Sequence, residues 1–278
     1  MSIGLVTDSS ADLPAAVAAA HEIEVIPLEV RLGAETFRDG LDLSTEEFFR
    51  RVSTDSLAPK TSQPPVGVFV QTYRNLLARH ESIISIHLAG DLSGTYAAAE
   101  VARQSLPGAD ITIVDSCSVS LGLGLLVVRA ARALRDGMSK EKILQLLGDA
   151  KERVEVLVAL NTLEFLERGG RLGKVAAFLG SLLNLKPLIK VAGGQVLPLV
   201  KARSRGQCVD QLLLHLAPLA QRGKLLLGVM HTVAAGEAEE LRRRLQDLYG
   251  KVEMVVQAGP VLGAHAGPGA LAVAVVPA

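Results

Sequence analysis

The amino-acid sequence predicts an α/β protein of two domains, a parallel α/β domain over residues 1–153 and a mixed α+β domain over residues 154–278. Three observations lead there. The chain has 278 residues, enough for two ordinary domains. Its first half alternates short apolar runs with helical periodicity, the pattern of parallel strands covered on both faces by helices. Its second half breaks that pattern with "PLIKV-AGG-QVLPLVKAR", which reads as a hairpin turning at Gly193 and Gly194.

Taken in order, Ile3–Thr7 reads as a strand, Pro14–Glu22 as a helix and Ile23–Leu32 as a second strand. "LSTEEFFRRV" opens a helix, with Ser44 as its cap and Glu47 three residues on. Pro65–His80 reads as a helix, Ser82–Leu88 as a strand, Gly94–Leu106 as a helix and Asp110–Val114 as a strand. Ser118–Arg135 and Lys140–Arg153 are both helical. The second domain opens with the apolar run Val154–Leu160, then "NTLEFLERGGRLGK" and a short helical stretch. Beyond the hairpin come helix Arg205–Gln221, strand Lys224–His231, helix Ala235–Tyr249, strand Lys251–Gln257 and the closing run Ala270–Val276.

The composition is 49% hydrophobic and 21% charged, with only 3% aromatics and no Trp. Any core or cavity is therefore built mainly from Leu, Val, Ile and Ala. Lys+Arg and Asp+Glu are both 29, and this zero net charge argues against nucleic acid as a partner. Cys117 and Cys208 have no metal-ligand spacing and make no disulfide framework, which suits a reducing cytoplasm. The start, "MSIGLVTDSSADLP", has neither the basic nor the apolar region of a signal peptide. No window of about 18 residues is apolar enough to span a bilayer. A soluble cytoplasmic protein with at most transient membrane contact is expected.

Ligands of open α/β sheets sit beyond the carboxyl ends of the strands. Three loops there are rich in small hydroxyls: "VTDSSAD", "HLAGDLSGTY" and "VDSCSVS". Each holds a candidate helix cap, so capping alone explains any one of them. All three, together with Thr61 and Ser62 in "KTSQPP", point to a shared polar site. Ser93-Gly94-Thr95 is the best anion receiver, combining hydroxyls with backbone N–H groups. Cofactor motifs fail in detail. "GGRLGKV" has three residues where a phosphate loop needs four, and "GLGLLV" lacks the third Gly of a dinucleotide fingerprint. "GDLSG" puts Ser93 one place too late for a nucleophile elbow, and the six histidines contain no metal-binding pair. No cofactor and no metal are expected.

His265 lies in "GPVLGAHAGPGAL" and reads as a loop histidine, either exposed beside a turn or close to a ligand that flanking glycines let the backbone approach. Arg171 in "ERGGRLGK" is either surface charge or a bidentate ligand for a carboxylate or phosphate.

Together these segments resemble the DegV family, the fatty-acid-binding subunits of bacterial fatty acid kinase. "VTDSSADLP", "KTSQPP", "GDLSGTY", "LERGGRLGK", "LKPLI", "KARSRG" and "GPVLGAHAGPGAL" follow the family's motifs in order along the whole chain. The resemblance implies a two-domain DegV-like fold with one long-chain fatty acid buried in a cleft between the domains. It implies that Thr61, Ser62 and Ser93 hold the carboxylate with His265 close by, and that Arg171 is the family's Gly-Gly-Arg. The subunit would be no enzyme by itself. It would present the acid to a separate ATP-binding kinase protein, which makes the acyl phosphate for phospholipid synthesis. The chain departs from the family at "HLAGDLSG", where Ala89 stands near a position at which members often carry a Ser-Ser pair, so one hydroxyl contact is expected to be missing.

The stretch from Arg168 to Arg205 carries eight basic residues and no Asp or Glu. It is either a solvated face with acidic neighbours from elsewhere or a docking surface for the kinase, formed by Lys174, Arg203 and Arg205. The main rival function is a serine-dependent acyl hydrolase or transferase using Ser93 and His265. DNA-binding and small-molecule phosphotransferase readings lack their motifs.

Overall fold

The first apolar run forms β1 (Ile3–Asp8), buried at all six positions, as a strand covered on both faces must be. The computed structural model describes residues 2–54, 58–178 and 185–278. After β1 the first half contains α1 (Ala15–Ala20), β2 (Ile23–Ile26), β3 (Glu29–Leu32), β4 (Glu35–Arg38), α2 (Thr45–Thr54) and β5 (Lys60–Ser62). There follow α3 (Val66–Leu77), β6 (Ser82–His87), α4 (Thr95–Gln104), β7 (Ile111–Asp115), α5 (Leu121–Arg135) and α6 (Lys140–Lys151). The second half contains β8 (Glu155–Ala159), α7 (Glu164–Arg168), β9 (Lys186–Ala192), β10 (Gln195–Ala202), α8 (Arg205–Ala220), β11 (Leu225–His231), α9 (Ala235–Tyr249), β12 (Val252–Gln257), α10 (Pro260–Ala266) and β13 (Leu271–Pro277).

Strands β2, β1, β6 and β7 form a parallel sheet in that order. A six-stranded sheet runs β10-β9-β8-β13-β11-β12, antiparallel except for the β11–β12 pair. The fold is thus α/β with a parallel sheet and a mixed one. The expected hairpin is β9–β10, and Gly193 and Gly194 turn it with φ of 56° and 75°. Part of the short helical stretch expected before it, residues 179–184, lies outside the described residues.

Three expectations are corrected. Ile23–Leu32 is two strands, because Pro27 cannot donate to a ladder: β3 leaves the parallel sheet and joins β4 and β5 in a small antiparallel one. Strands β4 and β5 have no buried position, so no apolar alternation announced them. His265 stands in the last turn of α10 and not in a loop. Pro260 starts that helix and Gly267, at φ 70°, ends it. Gly263 lets α10 sit on α2, since a Cβ there would meet Phe49 at 2.7 Å and Phe48 at 2.8 Å.

Helix α5 joins the halves. It is apolar nearly all round and buried, lying against β1 and β6 on one side and β8, β11 and β13 on the other. The glycines of "GLGLLV" serve this packing: a Cβ on Gly122 would stand 2.6 Å from Val156, and one on Gly124 2.5 Å from the Ala11 carbonyl. The core beneath is continuous from Leu5 and Ile84 through Leu121 to Val156 and Ile189.

Candidate functional site

Between the two sheets lies an apolar cavity with about 730 Å³ of space, counting its open mouth. Its walls come from both halves: Leu28 and Leu88 from the first, Val158, Ile189, Val191 and Leu262 from the second. Among the described residues, Thr61, Ser93, Arg171 and His265 are its polar lining residues.

All four line the same cavity, and two of them bond each other. β5 brings Thr61 beside α10, where Thr61 Oγ1 lies 2.8 Å from His265 Nε2. The other ring nitrogen, Nδ1, is buried without a hydrogen-bond partner and rests on Gly169, where a Cβ would stand 2.3 Å away. Arg171 donates from Nη1 to the Gly169 carbonyl at 2.6 Å and from Nε to the Leu92 carbonyl at 3.1 Å. Ser93 follows directly, and its hydroxyl is 2.9 Å from that of Thr95 at the start of α4. Two of the five guanidinium donors are used this way, which leaves three for a ligand.

Burial, and next the nearby Arg171 charge, push the His265 pKa down to about 4, so the ring is neutral at pH 7. Its tautomer follows from the partnerless nitrogen. An unsatisfied buried N–H is rarer and more costly than a bare acceptor. The proton therefore sits on Nε2 and is donated to Thr61 Oγ1, which leaves the Thr61 hydroxyl proton for the cavity. The result is an array of neutral hydroxyl donors and one guanidinium at the rim of an apolar space, suited to an anion carried on an apolar tail.

Ser62 does not line the cavity. It points the opposite way from Thr61 on β5, is exposed, and bonds Glu29 at 3.0 Å. The expected docking residues also separate. Lys174 is exposed and, with Ser93 and Arg171, lines a second, polar pocket outside the cavity mouth. Arg203, directly after the end of β10, is exposed. Arg205 does not present its charge outward: it is engaged inside the chain, with Glu237 at 2.7 Å, the Ala159 carbonyl at 2.9 Å and the Gly269 carbonyl at 2.8 Å. Elsewhere in the basic stretch Arg168 pairs with Glu164 and Lys190 with Glu155.

The hydrolase pairing is not made, since Ser93 bonds Thr95 and His265 bonds Thr61. A Ser-His-Asp chain does exist elsewhere, from Ser85 through His87 to Asp8 at 2.7 and 2.9 Å, but all three side chains are fully buried and out of reach of a substrate. Among the described residues no group of three or more His, Cys, Asp and Glu side chains could hold a metal ion. No described helix is long and apolar enough to cross a membrane.

Gly169, which lets His265 approach, and Gln63, whose side chain covers Gly94, are site residues that the sequence reading did not assign. The Gly-Gly before Arg171 was the available signal: the first gives the close approach, and the second, Gly170, takes a φ of 69°.

The fold and site define a class: an α/β protein with a parallel sheet and a mixed one, and an apolar cavity lined at four positions by polar side chains. Within that class the chain belongs to the DegV family, whose model, described as "Uncharacterised protein, DegV family", matches residues 2–278. It is 36% identical to a DegV domain-containing protein of Deinococcus radiodurans, covering 100% of this chain and 99% of the other. It is 33% identical to Protein DegV of Bacillus subtilis, covering 98% of each. Among solved structures it is similar to a fatty-acid-binding DegV family protein from Thermus thermophilus, with a TM-score of 0.95, 35% identity and full coverage of both chains. DegV of Bacillus subtilis, described as a fatty acid binding protein, gives a TM-score of 0.92 at 32% identity, again with full coverage of both.

Proposed function

We propose that this protein binds one long-chain fatty acid, with the acyl chain in the apolar cavity and the carboxylate at Thr61, Ser93 and Arg171. His265 acts through Thr61, fixing the direction of its hydroxyl. The observation that carries the reading is the cavity's composition: four polar residues, two of them hydrogen-bonded to each other, on an otherwise apolar wall. The fatty-acid binding described for the Thermus and Bacillus relatives supports it. Ser62 remains outside the carboxylate site in this reading. The chain works as a carrier in the cytoplasm, its domains dividing at residues 153/154, and holds no cofactor.

The carboxylate is presented to a separate ATP-dependent kinase subunit. One carboxylate oxygen attacks the terminal phosphorus of ATP, the bond to the ADP oxygen breaks, and an acyl phosphate for phospholipid synthesis remains on the carrier. The polar pocket with Lys174 at the cavity mouth offers the phosphates an approach, and Arg203 with Lys174 supplies docking charge. Burial of the acyl chain, at roughly 0.8 kcal/mol per CH₂, is enough for the ligand to survive purification. Native mass spectrometry followed by lipid extraction is therefore expected to find about one fatty acid per chain. A protein that purifies empty and takes up neither oleate nor palmitate overturns the reading.

A further inference from the structure

The first turn of α10 is gripped by two carboxyl groups from the other half of the chain. Asp12, after the turn that follows β1, accepts from the Gly259 N–H at 2.8 Å and from the Ser120 hydroxyl. Asp39, following β4, stands against the same glycine: a Cβ on Gly259 would lie 3.3 Å from Asp39 Oδ1 and 3.4 Å from Asp12 Oδ1. Asp39 is 4% exposed, and its Oδ1 has no hydrogen-bond partner. A pocket lined by Leu13, Leu41, Gln257 and Gly259 opens onto both carboxyls and connects them with solvent.

A charge near a desolvated carboxyl raises the cost of ionising it, and after desolvation the Asp39 charge adds to the rise at Asp12. Desolvation is the main cause that pushes Asp12 up to about 7 and Asp39 up to about 6. The Gly259 N–H and Ser120 hydroxyl oppose it at Asp12, and the Ser9 hydroxyl and Val261 N–H oppose it at Asp39. The Asp8 charge adds to the rise at both. The charged groups facing the pair are Asp8 from β1, itself bonded to His87, and Glu24 from β2 at the pocket wall. From the other elements Gly259, Val261, Gln257, Thr45 and Ser120 face it, and none of these carries charge.

We propose that Asp12 and Asp39 are a positioning pair that holds the ligand-lining helix α10 while the pair carries one proton between its two carboxyls, and that losing this proton loosens the hold on bound ligand. With the proton present, Gly259 keeps its acceptor and the pair carries a single negative charge. Without it, two negative charges, Asp39 buried and Asp12 half-buried, stand against Gly259, and their repulsion acts on the helix that carries Val261, Leu262, His265 and Ala266 into the cavity wall. His265 titrates near 4, below the range in which the pair does.

The inference rests on the fatty-acid reading for its ligand but not for its proton, and the two fail separately. In ¹⁵N-labelled protein the Gly259 and Val261 amide signals are expected to move together between pH 5 and pH 8. Asp39→Asn, whose neutral amide stands in for the pair's proton, is expected to abolish that movement. From loaded protein, oleate dissociation is expected to speed up about tenfold over the same range, the factor that one linked pKa unit gives. Asp39→Asn should be slow and flat, and Asp39→Ala fast throughout. Amides that do not titrate in the parent, or an Asp39→Asn variant with the parent's pH profile, overturn the pair. A protein that takes up no oleate overturns the fatty-acid reading, and the amide titration alone then decides the pair's proton.

Discussion

Thr61 and Ser62 are neighbours with nearly the same chemistry, yet alternation along β5 turns one into the cavity and the other toward Glu29. Thr61→Val keeps the shape and removes the donor. It is expected to weaken fatty acid binding by about 1.5–3 kcal/mol, the range for hydrogen bonds to charged groups. Thr61→Ser should bind like the parent, and so should Ser62→Ala. Isothermal titration with oleate checks all three, and equal losses at residues 61 and 62 would contradict the alternation. His265→Gln, which can still donate to Thr61, should retain more affinity than His265→Ala. Equal affinities for the two would mean that the ring's contribution is bulk and not its proton. The sequence made the polar residues of this site legible by type, since hydroxyls before prolines and between glycines have few structural roles. It could not orient them. Facing depends on strand register, and β5 is three residues long with no apolar neighbour to set a pattern. The loop reading of His265 failed for a related reason: glycines that allow contact with Phe48, Phe49 and Phe165 look, in a sequence, like glycines that allow a turn.

Among the elements, those that bury a face were readable and those that only connect were not. β1, β6, α5 and α9 stood out by length and period, whereas β4, β5 and α10 are short and owe their form to partners distant in sequence. Charge misled in the same way. Arg205 looked like one cation of a basic run, but at the first turn of α8 it reaches across the sheet edge to close two carbonyls and Glu237, with 21% of its side chain exposed. Arg205→Ala would leave the Ala159 and Gly269 carbonyls without this donor, at the loop that carries the chain from α10 into β13. A loss of about 2–4 kcal/mol in urea unfolding is expected, the scale of a broken partly buried hydrogen-bond network. Arg203→Ala, by contrast, should leave the urea midpoint within error, because its exposed side chain closes no comparable network. A docking role for Arg205 requires the reverse, unchanged stability with slower kinase-dependent phosphorylation.

At the scale of the molecule, a ligand in the cavity would be part of what the two sheets pack against. The cavity draws walls from both halves, so a filled cavity adds contacts that span them, while α5 keeps the halves together when it is empty. Val119, Val158, Leu262 and Ala266 also wall a smaller apolar pocket with Ala258, Ala270, Ala272 and Met230, and in the proposed reading this adjoining lobe takes the end of the acyl chain. Two consequences can be measured together on delipidated protein. Adding a ligand at about 100 times its Kd stabilises the folded state by about 2.7 kcal/mol. For a chain of this size that is a rise of about 5 °C in the thermal midpoint. Across a series of saturated acids from C10 to C20, each added CH₂ should strengthen binding by up to roughly 0.8 kcal/mol while it still enters apolar space, and by nothing once the lobe is full. Affinity plotted against chain length is therefore expected to climb and then break, and Ala270→Leu, which fills the lobe, should move the break to shorter acids without changing the affinity for C10. A smooth climb with no break, or a break that Ala270→Leu does not move, would place the acyl end outside the lobe.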